Sequence, residues 1–549
     1  MSHAPDRRAP VPPTATPPLD ANLTPTETLT PPEAASTVPT AIRRQSSASI
    51  VRNTLVANLA SLFSIVTGFF LTPILLRALG TDTFGVWSLA LGIVGQLAII
   101  QLGLNTAIPQ QVAAKLALGD RDGLAKIFST ALAAYLVCGA FSLLATGVII
   151  FVAPHFFKVA PAQLGAIRWT LLILGINQAL AFGVALRDAL VFGSGRMFLT
   201  SSINMVVNLG ISLGFVAMAL SGWGTVGMAL VMLVATVFNI GLYQRLLSDD
   251  FSGMKPSRAQ FSRETLARLL GIGRNQFAIS LSGVVSFGAN SLILGLLLTP
   301  TALAYYALAV RLVNFIDQLS TKFSSVSLPV YAQAYASGDT AQMRRIFTES
   351  ITVALGIVVP FLLVSIVLGE RLILAWVGPN HGDAALLWAL GMTTFLFRLP
   401  GQIAITILNG AEKLGLILKV FLAASVVDLA LSYFLTRQIG AGGVYVGSII
   451  VGALVDFVWL PWFVCREFGF SPRAFWRDGL LPLLPSVIVG GAVATLIARL
   501  PLPSGTLVTL AATLVLLGSS WVTWFFVGLP ANRRQRFTGA LRRALKRNG

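Results

Sequence analysis

The sequence predicts an all-α polytopic membrane protein with about fourteen transmembrane helices. These are arranged as two six-helix pseudo-repeats around a central cavity, followed by two C-terminal helices. Three observations carry the prediction. Hydrophobic residues make up 55% of the chain and charged residues only 11%, with a mean hydropathy of +0.79, whereas a soluble domain carries about 25% charged residues. Apolar runs of about 20 residues recur, the length that crosses roughly 30 Å of hydrocarbon as helix, while the weakly alternating segments of an outer-membrane barrel are absent. The chain also resembles itself at a nearly constant offset.

Residues 1–49 open the chain as a Pro/Thr/Ala-rich tail, from Pro5 to Pro39, with no core-forming apolar run, and such a composition predicts disorder. It lacks the apolar stretch of about 7–15 residues that a signal peptide needs, so none is expected. Spans follow at approximately 53–78, 84–107, 126–152, 165–190, 197–220 and 225–247, which make a first bundle over 50–248. An interfacial helix is expected within a linker over 249–271, where Phe261, Leu266, Leu269 and Leu270 share one side and Arg263 and Arg268 lie off it. A second bundle over 272–466 holds spans at 273–298, 302–328, 346–376, 384–409, 414–437 and 442–465. Two extra spans, 480–499 and 506–528, occupy 467–530, and 531–549 is a basic cytoplasmic tail suited to anionic headgroups.

Charge placement sets the orientation. The net charge of +18 does not point to nucleic acid, because basic residues crowd the ends of apolar runs and the tails. Arg43, Arg44, Lys115, Arg121, Arg258, Arg344, Arg345, Lys413, Arg466 and the cluster from Arg533 to Arg547 fall in one set of alternate connections. That set is expected in the cytoplasm, which puts both termini inside and requires an even number of spans. Cys138 and Cys465 sit in apolar runs and read as core thiols rather than a disulfide. His3, His155 and His381 are too scattered for a metal site, and no cofactor is expected.

The internal repeat has an offset of about 219 residues. Gly119-Asp120 followed by Ile127-Phe128-Ser129 recurs as Gly338-Asp339 followed by Ile346-Phe347-Thr348. Trp87, Leu89 and Ala90 fall on Tyr306, Leu308 and Ala309. Six spans per repeat is an even number, so the halves share one topology and an axis along the membrane normal, as in transporters that rock two bundles about a central site.

One span is unlike the others. Between Ala302 and Leu328 the chain carries Arg311, Asn314, Asp317, Gln318, Thr321, Lys322 and Ser325 within an arc of about 140°, with Leu308, Leu312, Ile316 and Leu319 outside it. Charges at this depth are costly and face a wet cavity or a paired interior. The stripe therefore reads as the lining of a substrate pathway, with a buried polar contact between helices as the alternative. Arg398, beside Pro400 and Gly401, is the other mid-span arginine. Arg311, Arg398 and Lys322, with the amides Asn314 and Gln318, would make a cationic interior that receives phosphate oxygens. Asn58 on the first span and Asn275 and Asn290 on the seventh share the faces expected to line the cleft, although small polar residues also serve as helix contacts. Asp317 is the candidate for ion coupling, and Asp428 and Asp456 are candidate counter-ions.

The motifs H-E-x-x-H, G-x-x-x-x-G-K-[ST] and G-x-S-x-G do not occur, and the external connections are too short for a catalytic domain. A transporter is expected rather than an enzyme. Glycosyltransferase or polymerase activity is the less favoured alternative, and a non-transport scaffold leaves the polar stripe without a use.

Pro73-Ile74-Leu75-Leu76-Arg77-Ala78-Leu79-Gly80 followed by Phe84-Gly85-Val86-Trp87, the Gly119-Asp120 loop and the stretch from Pro329 to Asp339 together resemble a known family. They are similar to the bacterial polysaccharide-type flippases of the multidrug/oligosaccharidyl-lipid/polysaccharide exporter superfamily, over roughly residues 50 to 530. The resemblance implies alternating-access movement of an undecaprenyl-diphosphate-linked oligosaccharide from the inner to the outer leaflet of the bacterial cytoplasmic membrane. It implies as partners that glycolipid, anionic membrane lipids, a polysaccharide polymerase and chain-length-control proteins, and no nucleic acid. A drug or organic-cation exporter of the same superfamily is the competing reading; its site would favour carboxylates over arginines.

Overall fold

The computed structural model describes residues 47–531 apart from 102, 157–160, 248–256, 284–287, 412–414, 502 and 504, together with 533–535 and 539. The expected N-terminal tail, part of the linker and most of the basic C-terminal tail lie outside the described residues. Among the described residues all regular structure is helical.

The first half comprises α1 (Ser47–Leu79), α2 (Thr81–Gln96), α3 (Leu104–Ala117), α4 (Arg121–Phe156), α5 (Leu164–Gly193), α6 (Met197–Leu220) and α7 (Gly224–Leu247). The second comprises α8 (Arg263–Gly283), α9 (Ala289–Leu297), α10 (Pro300–Ala336), α11 (Thr340–Val367), α12 (Gly369–Val377), α13 (Ala384–Gly410), α14 (Gly415–Ile439), α15 (Gly443–Val451) and α16 (Leu460–Glu467). Then come α17 (Pro472–Leu480), α18 (Leu484–Arg499) and α19 (Thr506–Thr523), of which α18 and α19 pack on each other and on α11.

Where their residues are described, the expected spans fall almost entirely on helix. Eleven stretches among the described residues are long and apolar enough to cross a membrane, fewer than the fourteen expected. The causes are local. Ile417–Glu467 forms one apolar stretch, although a short turn at Gly440–Gly442 divides it into α14 and α15. Residues 284–287 of the seventh expected span lie outside the described residues, and α10 carries the polar stripe. The linker differs too. Among the described residues, α8 starts at Arg263, inside the expected linker, and continues into the seventh expected span as far as Gly283.

Helix starts reproduce the offset read from the sequence. Thr81 and Pro300, Arg121 and Thr340, and Gly224 and Gly443 begin paired helices. The Gly-Asp junctions show why those two residues recur. Gly119 and Gly338 have φ of 67° and 69°, the left-handed conformation that only glycine adopts freely at a helix C-terminus. The following aspartates cap the next helices: Asp120 Oδ1 accepts from the Gly123 N–H at 2.7 Å, and Asp339 Oδ1 accepts from the Gln342 N–H at 2.8 Å. Lys115 donates to Asp120 at 2.6 Å and holds that carboxyl below its ordinary range, with the Gly123 N–H adding to the effect.

The halves are not identical. α10 is continuous, whereas its counterpart breaks after Gln96 and resumes as α3 beyond Gly103, whose φ is 75°. A side chain at Gly103 would collide with the Gly273 carbonyl on α8, so the break lets the two backbones touch. Along α10, Leu308 and Ile316 are buried in the main core, while Arg311, Asn314 and Gln318 are exposed on the other side. The helix has the two-faced character its periodicity predicts.

A cavity between the two halves

Three helices shape the candidate site. Arg311, Asn314 and Gln318 project from α10, at spacings that share one helical face. Ser64, Thr67 and Gly68 face them from α1, and Asn208 and Ser212 from α6. Together with Phe69, Phe215 and Phe315 they enclose a cavity of about 300 Å³. Its walls come from both halves of the chain.

The arginine is seated by a glycine. Arg311 Nη2 donates to the Gly68 carbonyl at 3.4 Å, and a Cβ at Gly68 would lie 2.7 Å from that nitrogen. The Thr72 hydroxyl donates to the same carbonyl at 2.8 Å. One weak hydrogen bond orients the guanidinium and leaves most of its five donors for an anion. Among the described residues, none of those lining the cavity is a carboxylate.

Arg398 does not share this cavity, contrary to the expectation of one chamber with two arginines. It is buried in the second half, 2.7 Å from Asp428, with side chains 8% and 1% exposed. Ser448 and Ser432 donate to the other Asp428 oxygen at 2.9 and 3.3 Å. Asp456 packs against Gly401 on a π-helical turn, Gly452–Trp459. A guanidinium paired with a buried carboxylate, which two hydroxyls hold in turn, satisfies the rule that buried charges are paired. It is a buried internal ion pair.

The remaining expected site residues are dispersed. Asn290 is buried on α9 and hydrogen-bonds Tyr306. Asn58 is exposed on α1, below the cavity wall. Asp317 is half-buried on α10 and is not a lining residue. Asn275 and Lys322 lie in helix, but their side chains fall outside the described residues. The wall on α6 was missed, although Asn204, Asn208 and Ser212 recur every fourth residue in an otherwise apolar span. That spacing was a usable signal.

Beyond the cavity, where α1 gives way to α2, the halves touch. Pro73 has no N–H for the Phe69 carbonyl one turn earlier. Trp376 Nε1 of α12 donates to that carbonyl at 3.0 Å, and its ring stacks on Phe69 at 4.8 Å. The Thr301 hydroxyl donates to Asp82 at 2.6 Å. Thr81 and His381 Nε2 share a hydrogen bond at 3.1 Å, and within the second half Tyr305 donates to the Asn380 carbonyl at 2.9 Å beside it. A side chain at Gly85 would strike the Pro300 carbonyl, so α2 and α10 meet backbone to backbone.

Comparison with known proteins agrees with this architecture. The family described as Polysaccharide biosynthesis protein matches residues 50–335. The uncharacterized membrane protein EpsK of Bacillus subtilis (strain 168) is 23% identical over 441 residues, covering 78% of this chain and 86% of that one. Among solved structures, the inward-facing conformation of a multidrug resistance MATE family transporter of the MOP superfamily aligns with a TM-score of 0.63. Its identity is 16%, over 77% of this chain and 99% of that one. The inward closed conformation of the lipid II flippase MurJ also gives a TM-score of 0.63, at 13% identity over 85% of this chain and 98% of the other. At these identities the likeness is one of fold.

Proposed function

Because the chain belongs to the polysaccharide biosynthesis protein family, we propose that it moves an undecaprenyl-diphosphate-linked oligosaccharide from the inner to the outer leaflet of a bacterial cytoplasmic membrane. The observation that carries this reading is Arg311, held by the Gly68 carbonyl on the wall of a cavity made by both halves. A guanidinium at that depth is costly unless it faces water or an anion, and its forked donors suit phosphate oxygens. The amides and hydroxyls around it suit a sugar, and the greasy tail stays in the bilayer. Rocking the halves about this seam would expose the cavity to each side in turn.

In the orientation that the basic connections favour, both termini lie in the cytoplasm. The contacts around Trp376 and Asp82 then form the outer closure, and the substrate enters from the inner leaflet. A drug or organic-cation exporter would present a carboxylate to its substrate, and the described residues of the cavity lining include none.

Export in a host that lacks its own polysaccharide flippase tests the reading. Arg311→Ala lowers surface polysaccharide at least about tenfold at unchanged membrane abundance, the loss expected from one charge-assisted contact. Arg311→Lys restores only part of it. Full export by Arg311→Ala contradicts the reading.

A further inference from the structure

The cavity has one charged wall and one neutral wall, and the neutral wall comes largely from α6, which no motif had marked. On α1 the two walls have distinct anchor points. The Arg311 guanidinium sits at Gly68, while the Asn208 amide approaches the Ser64 hydroxyl at 3.5 Å. Gly68 and Ser64 are one helical turn apart, roughly 6 Å at 1.5 Å per residue, which is the reach of a single sugar ring from its phosphate. Ser212 donates back to the Asn208 carbonyl at 2.8 Å, so it shares the face of α6 on which that amide stands. Gln318 lines the cavity from the α10 side.

A primary amide offers two donors and an acceptor, which matches neighbouring ring hydroxyls. Phe215 and Phe315 offer apolar faces for the C–H side of a ring. A volume of about 300 Å³ is at the lower end of small-molecule sites and has room for a sugar ring beside the guanidinium.

We propose that Asn208, Ser212 and Gln318 form a sugar-reading subsite that discriminates the first sugar, the one joined to the phosphate that Arg311 holds. This rests on the transport reading above. It assigns α6 a part in selectivity, because a site built to hydrogen-bond a particular hydroxyl rejects the epimer that leaves an amide unpaired.

Binding of undecaprenyl diphosphate carrying either glucose or galactose as its only sugar tests the proposal, with sugar-free undecaprenyl diphosphate as the third probe. The native protein binds one epimer at least about tenfold more tightly than the other, the difference one hydrogen bond makes. Asn208→Ala and, separately, Gln318→Ala shrink that preference to below about threefold, and Ser212→Ala provides a third, smaller change on α6. Arg311→Ala weakens both epimers together and leaves their ratio intact. Unfolding temperatures confirm that each variant is folded. A native protein without preference, or a preference that survives in folded Asn208→Ala and Gln318→Ala, overturns the subsite while sugar-free lipid still binds. If the native protein binds none of the three lipids, the transport reading falls and the subsite falls with it.

Discussion

Arg311 and Arg398 are both mid-span arginines, yet their surroundings make them different kinds of residue. Arg398 is enclosed with Asp428 as a buried pair; Arg311 leans on a single carbonyl beside an open volume. Removing one partner of a buried pair strands the other charge, at a cost of about 3–5 kcal/mol, whereas replacing both by apolar residues is often neutral. Arg398→Ala is therefore expected to lower the unfolding temperature and membrane abundance sharply, and Arg398→Leu with Asp428→Leu to recover most of the loss. An Arg398→Ala protein of native stability that fails in export would return this residue to the substrate path. Periodicity could tell that both arginines lie within spans and which face each occupies. It could not tell what stood opposite, because Asp428 reaches Arg398 from another helix, and Ser448 holds Asp428 from a third.

Among the elements, α10 was the most legible, since its polar face and its buried Leu308 and Ile316 follow from 3.6-residue spacing alone. α6 was less so. Its Asn208 and Ser212 line the cavity wall, and small polar residues of this kind in an apolar span are also common at helix contacts. The continuity of α8 from Arg263 was also hidden, because the amphipathic turn at its start and the apolar run after it differ in composition. The junction of α2 with α10 makes a prediction of its own. Asp82 and Thr301 touch, so Asp82→Cys with Thr301→Cys, joined by a short thiol-specific bridge, holds the halves together at that end. Export is expected to stop and to return on reduction. The two native thiols, Cys138 and Cys465, are buried and do not interfere. Undiminished export in fully bridged protein would mean that this contact does not open during transport.

On the scale of the whole molecule, duplication explains the architecture. The same Gly-Asp junction serves both halves because the same two demands, a left-handed helix end and a capped helix start, recur at each. The all-helical class and the repeat could be read directly, as they depend on composition and on local chemistry. Of the eleven described stretches long and apolar enough to cross a membrane, Ile417–Glu467 holds two of the expected spans, and the polar α10 falls outside that set. The asymmetry between the broken α2–α3 pair and the unbroken α10 was not legible, since it depends on Gly103 meeting Gly273 on a distant helix.

The central claim is that the seam between the halves receives a phosphorylated head through Arg311. Purified protein in vesicles, loaded on one leaflet with fluorescent undecaprenyl diphosphate bearing a short glycan, measures it most directly. The account predicts transfer to the opposite leaflet at least about tenfold faster than in protein-free vesicles, and Arg311→Ala reduces that rate at least about tenfold. Equal transfer rates for the native protein and Arg311→Ala, or no acceleration by the native protein, would contradict it.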